Sequence, residues 1–99
     1  MDVDASTEQS QIFVKLLFFA SARELAHCSS VRLPISIQAA HRKLTGGELK
    51  AFIVERFPRL TSIAESCLLA VALNYVDTDD SVELYDGVEV ALIPPISGG

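Results

Sequence analysis

No lysine or arginine follows Arg59. Residues 60–99 carry seven acids and no basic side chain, a net charge of −7, whereas residues 1–59 hold all eight Lys/Arg against six acids, a net of +2. The whole chain sits at −5. This balance argues against nucleic acid and against an anionic membrane, because both present phosphates that an acidic surface repels. It suits a basic protein surface instead. Long hydrophobic runs are missing as well. The longest uncharged apolar stretch, around "CLLAVAL", is far below the ~20 residues that a spanning helix needs. The opening "MDVDASTEQSQ" is acidic and polar, without the basic start and apolar middle of a secretory signal, so a cytoplasmic location is expected.

Catalytic and metal-binding constellations are also scarce. The two cysteines, Cys28 and Cys67, have no CxxC spacing, and two reduced, semi-buried thiols are expected. His27 and His41 have no ligand-like spacing and read as surface residues, so no metal site is expected. No Ser/His/Asp or Cys/His set stands in a plausible register. Gly46-Gly47 lacks the surrounding pattern of a phosphate loop. The acids from Asp77 onward lack the later glycine and bidentate glutamate of a Ca²⁺ loop, so a solvated acidic turn is expected there.

What is present is enough for one domain. A chain of 99 residues, 49% of them apolar, can bury about two-thirds of its unfolded surface without staples. Residues 1–11 read as a flexible tail, 12–93 as the folded domain and 94–99 as an extended C-terminal tail. The first strand is expected over Ile12–Ala20, rich in aromatic and β-branched residues. Ser21 with Glu24 three residues on predicts a capping box opening a short helix. "SSVRLPI" predicts a short alternating strand. Thr45 with Glu48 predicts a second capping box, and Leu49, Phe52, Ile53 and Phe57 give the following helix one apolar stripe, ended by Pro58. "LLAVALNYV" predicts one buried strand over Leu68–Val76. A short strand is expected at Val82–Leu84, and a last one runs into Pro94. A single long helix on a small mixed sheet is an α+β, two-layer design. That helix covers one sheet face only. The first strand is apolar on both, with Val14, Leu16 and Phe18 on one side and Phe13, Leu17 and Phe19 beside Lys15 on the other. A leftover apolar face is either covered by short helices and loops or marks a candidate interface. On the interface reading, Phe19, Leu17 and Phe13 are the candidate partner contacts, together with Ile96 of the tail.

The chain closes on "VALIPPISGG". Pro94 and Pro95 cannot extend a sheet ladder and favour a semi-rigid, extended exit. Gly98 and Gly99 have no side chains, so a terminal carboxylate could enter a narrow channel. This design makes chemical sense if the carboxylate is the working group. A carboxylate is a poor electrophile and must be activated, for example by adenylation. The chain shows no ATP site, so another protein would have to perform that step.

Three stretches carry a resemblance: "VKLLFFASAREL", "LLAVALN" and "DGVEVALIPPISGG". They span nearly the whole chain from Val14 to Gly99, and with them the sequence resembles the family of small, sulfur-carrying subunits of molybdopterin synthase. The resemblance implies a ubiquitin-like β-grasp fold, a mixed sheet packed on one main helix. It implies that an ATP-dependent activating enzyme adenylates Gly99, that sulfur then replaces an oxygen to give a thiocarboxylate, and that no cofactor stays bound to this chain. It implies that the tail Pro94, Pro95, Ile96, Ser97 and Gly98 inserts into a large catalytic subunit, within a heterotetramer, where sulfur passes to cyclic pyranopterin monophosphate. On this resemblance the chain is a non-catalytic sulfur donor, and the anionic pterin belongs in the large subunit, since residues 60–99 offer no cation to it. A local departure is Asp86-Gly87-Val88-Glu89, where the family commonly has Asp-Gly-Asp-Glu. Residues 36–44 also form a longer segment than in compact members. A sulfur carrier for thiamine or tRNA thiolation, and a ubiquitin-like protein modifier, share the fold and the terminal Gly-Gly and remain alternatives.

Overall fold

Alternation along the first strand sets the architecture. Ile12, Val14, Leu16 and Phe18 all point to one side and are buried, Leu16 completely. Period-two burial of this kind is what one packed sheet face produces. The computed structural model describes residues 9–38 and 43–95. In order these form β1 (Gln9–Phe18), α1 (Ala20–Ala26), β2 (Ser30–Gln38), β3 (Lys43–Thr45) and α2 (Gly46–Arg56). A 3-10 turn at Pro58–Leu60 leads into α3 (Thr61–Ala64), followed by β4 (Leu68–Val71), β5 (Asn74–Val76), β6 (Ser81–Glu83) and β7 (Glu89–Ile93). The main sheet has the order β2-β1-β7-β4-β5, and β3 and β6 form a separate pair.

β1 pairs antiparallel with β2, placing Val14 opposite Leu33 and Ile12 opposite Ile35. It pairs parallel with β7, with Leu16 opposite Val90 and Phe18 opposite Leu92. β7 is therefore a central strand, held on its other edge by antiparallel β4. All the buried members of these strands share one core with Ala22 of α1, Leu49 and Ile53 of α2, and Leu60. Phe18 packs edge-on against Phe57, with ring centroids 5.0 Å apart. Among the described residues no polar or charged side chain is buried. The α+β, β-grasp design expected from the sequence is the one observed.

The Thr45 capping box forms as expected. The Glu48 N–H donates to Thr45 Oγ1 at 3.1 Å, and the Thr45 N–H to Glu48 Oε1 at 2.9 Å. The next two amides are also taken. Gly46 N–H donates to the Asp80 carbonyl at 2.9 Å and Gly47 N–H to that of Thr78 at 3.0 Å. A Cβ on Gly46 would run into the Asp77 carbonyl oxygen. Gly46 thus serves a close approach of helix start to acidic turn, and its amide is not free for a phosphate.

Two expectations need correction. Ser21 does not cap α1. The helix starts at Ala20, and Phe19, extended at φ −126 and ψ 152, is the N-cap with no side-chain hydrogen bond. The Phe19 carbonyl instead accepts from Ala22 N–H at 3.0 Å. The burial of Phe18 fixes the junction: its N–H bonds to the Ser29 carbonyl at 2.9 Å, and the chain must turn immediately afterwards, at Ala20 with φ 51. Nor is Leu68–Val76 one strand. It is a hairpin whose two-residue connection, Ala72 and Leu73, has φ 51 and 71. An uninterrupted apolar run hid the turn, because the residues that usually mark such a connection are absent from it. Two smaller differences concern length. β1 begins at Gln9, opposite Gln38, inside the expected tail 1–11. The segment 36–44 completes β2 and begins β3, its residues 39–42, His41 among them, lying outside the described ones.

Candidate functional site: the tail base and the open sheet face

β7 delivers the C-terminal tail. Both of its edges are paired, so its last residue, Ile93, is anchored opposite Leu68 of β4. Pro94 is half-buried and Pro95 exposed. Proline has no N–H to offer a neighbouring strand, so the ladder ends where the tail begins. Ile96, Ser97, Gly98 and Gly99 lie outside the described residues.

Helix α2 packs on the inner sheet face only, and among the described residues no helix covers the outer face beside the tail base. Its middle row runs across four strands: Leu17 is opposite Ala91, Ala91 opposite Ala70, and Ala70 opposite Tyr75. Two alanines in the centre make a shallow saddle between larger side chains. Phe19, Leu68 and Ile93 close the end nearest the tail, Phe19 being 46% and Leu68 52% exposed. Leu73 stands at the far end. The resulting groove has a volume of about 260 Å³. Contiguous apolar surface on so small a domain makes this groove a candidate interaction site.

The sequence-derived candidates separate here. Leu17 and Phe19 line this groove, but Phe13 does not. Lys15 and Glu89, 3.8 Å apart, stand between Phe13 and Leu17 on the same face. Phe13 instead lies under the Arg32 guanidinium, 4.4 Å from its ring centroid, in a separate depression with Lys15. Its backbone is bound to the loop before β7. The Phe13 N–H donates to Asp86 Oδ1 at 2.8 Å, and its carbonyl accepts from Gly87 N–H at 2.7 Å. Gly87 has φ +88, a conformation that glycine adopts freely. Tyr75, Leu68, Ala70 and Leu73 were not among the candidates. Leu68 and Ala70 reach the outer face through the pairing of β4 with β7, and Leu73 and Tyr75 because β5 folds back beside β4.

The acidic run divides between the two ends of the sheet. Val76 is opposite Leu69, which is opposite Leu92, so Asp77, Asp79 and Asp80 follow at the tail-base end. Asp86 and Glu89 lie at the other end. Among the described residues no group of three or more His, Cys, Asp or Glu is placed to hold a metal ion. Both cysteines are free thiols. Burial pushes the Cys67 thiol above its ordinary value, partly offset by the nearby Lys50 ammonium. Lys50 Nζ donates to the Cys67 carbonyl at 2.7 Å. His27 is exposed, its Nε2 3.0 Å from an Arg59 guanidinium nitrogen; arginine only donates, so this ring nitrogen accepts. Among the described residues no helix is long and apolar enough to cross a membrane.

A five-stranded mixed sheet with one main helix on its inner face and a central last strand defines a ubiquitin-like β-grasp protein. Solved structures share it. Small archaeal modifier protein 1 of Haloferax volcanii superposes with a TM-score of 0.66 at 19% identity, covering 86% of this chain and 99% of that one. In a complex of subunits 1 and 2 of the molybdopterin-converting factor from Helicobacter pylori, the matching chain has a TM-score of 0.53 at 24% identity, with 89% and 100% covered. At such identities the likeness concerns the fold. The sequence goes further: residues 16–99 match the model of the ThiS family, and the chain belongs to that family. The molybdopterin synthase sulfur carrier subunit of Aedes aegypti is 42% identical over 88 residues, covering 87% of this chain and 88% of that protein. The protein of the same name from Chlamydomonas reinhardtii is 37% identical over 86 residues, covering 87% and 98%.

Proposed function

We propose that this chain is the sulfur-carrying small subunit of a molybdopterin synthase. The observation that carries this reading is the "IPPISGG" tail, continuous with a central strand paired on both edges up to Leu92, in a chain whose relatives of that name match it over nearly their whole length. The reactive group is the Gly99 carboxylate. On an activating enzyme, its oxygen attacks the α-phosphorus of ATP and pyrophosphate leaves. A sulfur nucleophile then displaces AMP from the acyl carbon, and the thiocarboxylate that results is the sulfur store. ATP is held by the activating enzyme, and this chain supplies the acyl group.

We infer a division of labour within the chain. β7 fixes the tail base, Pro94 and Pro95 hold the following residues away from the sheet, and Ile96, Ser97 and Gly98 thread into the large subunit. There the thiocarboxylate sulfur is transferred to cyclic pyranopterin monophosphate, whose phosphate needs cations that residues 60–99 lack. The apolar groove of Leu17 and Phe19 docks against the large subunit beside the entering tail, and Phe13 falls at the periphery of that footprint. Asp77, Asp79 and Asp80 steer a basic partner surface towards the tail-base end.

Intact mass spectrometry tests the chemistry. Incubation with activating enzyme, ATP and a sulfur donor is expected to exchange one oxygen for one sulfur at Gly99. The product, mixed with the large subunit, is expected to convert the pterin. A chain that gains sulfur but fails in that conversion while supporting tRNA or thiamine thiolation would assign it to the alternative carrier role, and formation of isopeptide adducts would make it a modifier.

A further inference from the structure

The tip of the β4–β5 hairpin is built from the wrong residues for a turn. Both central positions have positive φ, as a two-residue connection requires, and asparagine or glycine meets that demand with little strain. Here the residues are Ala72 and Leu73. A leucine in this conformation is disfavoured by its own Cβ. It is disfavoured again by solvation, since Leu73 is 92% exposed and belongs to no core cluster. Nothing in the turn depends on its side chain. The hydrogen bonds that hold the tip run from Ala72 N–H to the Glu89 carbonyl, 2.9 Å, and from Asn74 Nδ2 to the Ala72 carbonyl, 3.0 Å. Folding therefore gives no reason for leucine at this position.

The position of Leu73 supplies one. It lines the outer-face groove at the level of Glu89, the first residue of β7, while Ile93 and the tail stand at the other end. Four residue steps of a strand separate the two ends, roughly 13 Å. A second strained junction, Ala20 at φ 51, lies beside Phe19 at the tail end of the same groove. Each strained junction thus sets an exposed apolar side chain beside the groove.

We propose that Leu73 is a docking anchor for the subunit that receives the tail, held in solvent at the expense of fold stability until that subunit covers it. This rests on the reading of the chain as a tail donor. It adds that the partner's apolar surface follows the groove from the tail base past Ala91 and Ala70 to the hairpin tip, with the Glu89 carboxylate at its rim. Continuity of the groove with Ile93 is what commits the site to this occupant. A partner seated at the tail base and extending along β7 meets Leu73 without leaving the apolar surface.

The experiment titrates the purified large subunit of molybdopterin synthase against the full chain and three variants, with a thermal melt of each. Leu73→Asn, which tolerates positive φ, is expected to melt at a higher temperature than the parent and to bind roughly fivefold or more weakly. Leu73→Met, which keeps an apolar side chain, is expected to bind within about twofold of the parent. Phe19→Ala reports on the groove independently of the hairpin. Unchanged affinity of Leu73→Asn while Phe19→Ala weakens binding would overturn the anchor and leave the docking face intact. A lower melting temperature for Leu73→Asn would show that leucine serves the fold and would equally overturn it. Unchanged affinity in both variants would remove the docking face itself and the anchor with it.

Discussion

Phe18 and Phe19 are adjacent and chemically identical, yet one is 2% and the other 46% exposed. The same contrast runs the length of the sheet. The inner face carries Val14, Leu16, Val90 and Leu92, all essentially without solvent contact, beneath Leu49 and Ile53 of α2. The outer face carries Leu17, Ala91, Ala70 and Tyr75, also apolar, with no helix over them among the described residues. Both faces are hydrophobic, and only one is used to fold. Apolar surface that folding does not consume remains for association, and it surrounds the strand that ends in the tail.

The contrast can be sharpened most by a change at the C-terminal glycine. Deleting Gly99, or extending the chain past it with an uncleavable segment, is expected to abolish sulfur transfer while leaving the thermal melt unchanged. Pterin conversion by an extended, uncleaved chain would refute this. Next in size is the pair at the end of β1. Phe18→Ala should destabilise the fold by about 3–5 kcal/mol, because it empties a core site, as read from denaturant unfolding. Phe19→Ala should leave stability within about 1 kcal/mol and weaken binding to the large subunit by about 2 kcal/mol, roughly 30-fold. Equal destabilisation by both would erase the distinction between the faces.

Gly46→Ala sharpens the inner side. The added methyl meets the Asp77 carbonyl, so a loss of about 1–3 kcal/mol of stability is expected without a change in partner affinity once folded. Raising ionic strength acts on the other side. The association rate should fall severalfold between low and physiological salt as Asp77, Asp79 and Asp80 are screened, with little change in the dissociation rate. Stopped-flow rates that ignore salt would rule the steering out. The smallest effect concerns Cys67. Burial raises its folded-state thiol above the ordinary thiol value, so the stability it contributes is complete below that ordinary value and is lost as pH rises through the folded one. Wild-type melting temperature should therefore drop slightly more on the alkaline side than that of Cys67→Ala, and Cys28 should react with thiol reagents before Cys67.

Where local chemistry was sufficient, the sequence was legible. Thr45 and Glu48 define a reciprocal cap within four residues, and it forms as read. The alternation of Val88, Val90 and Leu92 placed the last strand, and "FFASAREL" with "IPPISGG" placed the family. Ser21 and Glu24 offered the same local pattern as Thr45 and Glu48, and there the pattern failed. Keeping Phe18 in the core set the helix start two residues earlier than a Ser21 cap would have done. The Ala72–Leu73 turn was invisible for a related reason: its residues are poor turn formers, and the chain bends there because Val71 and Asn74 pair across the connection.

By itself, then, the sequence determined the strands with one-sided alternation, the main helix with its cap, the charge asymmetry and the terminal motif, all of which depend on residues close together in the chain. Only the tertiary structure decided which apolar residues share a surface. Leu17, Ala91, Ala70 and Tyr75 are far apart in sequence and become one row through strand pairing alone, while Phe13, on the same face of the same strand as Leu17, is cut off by the Lys15–Glu89 pair. Register fixes such neighbours, and register depends on the joint burial of many side chains, a property that no short stretch of sequence holds.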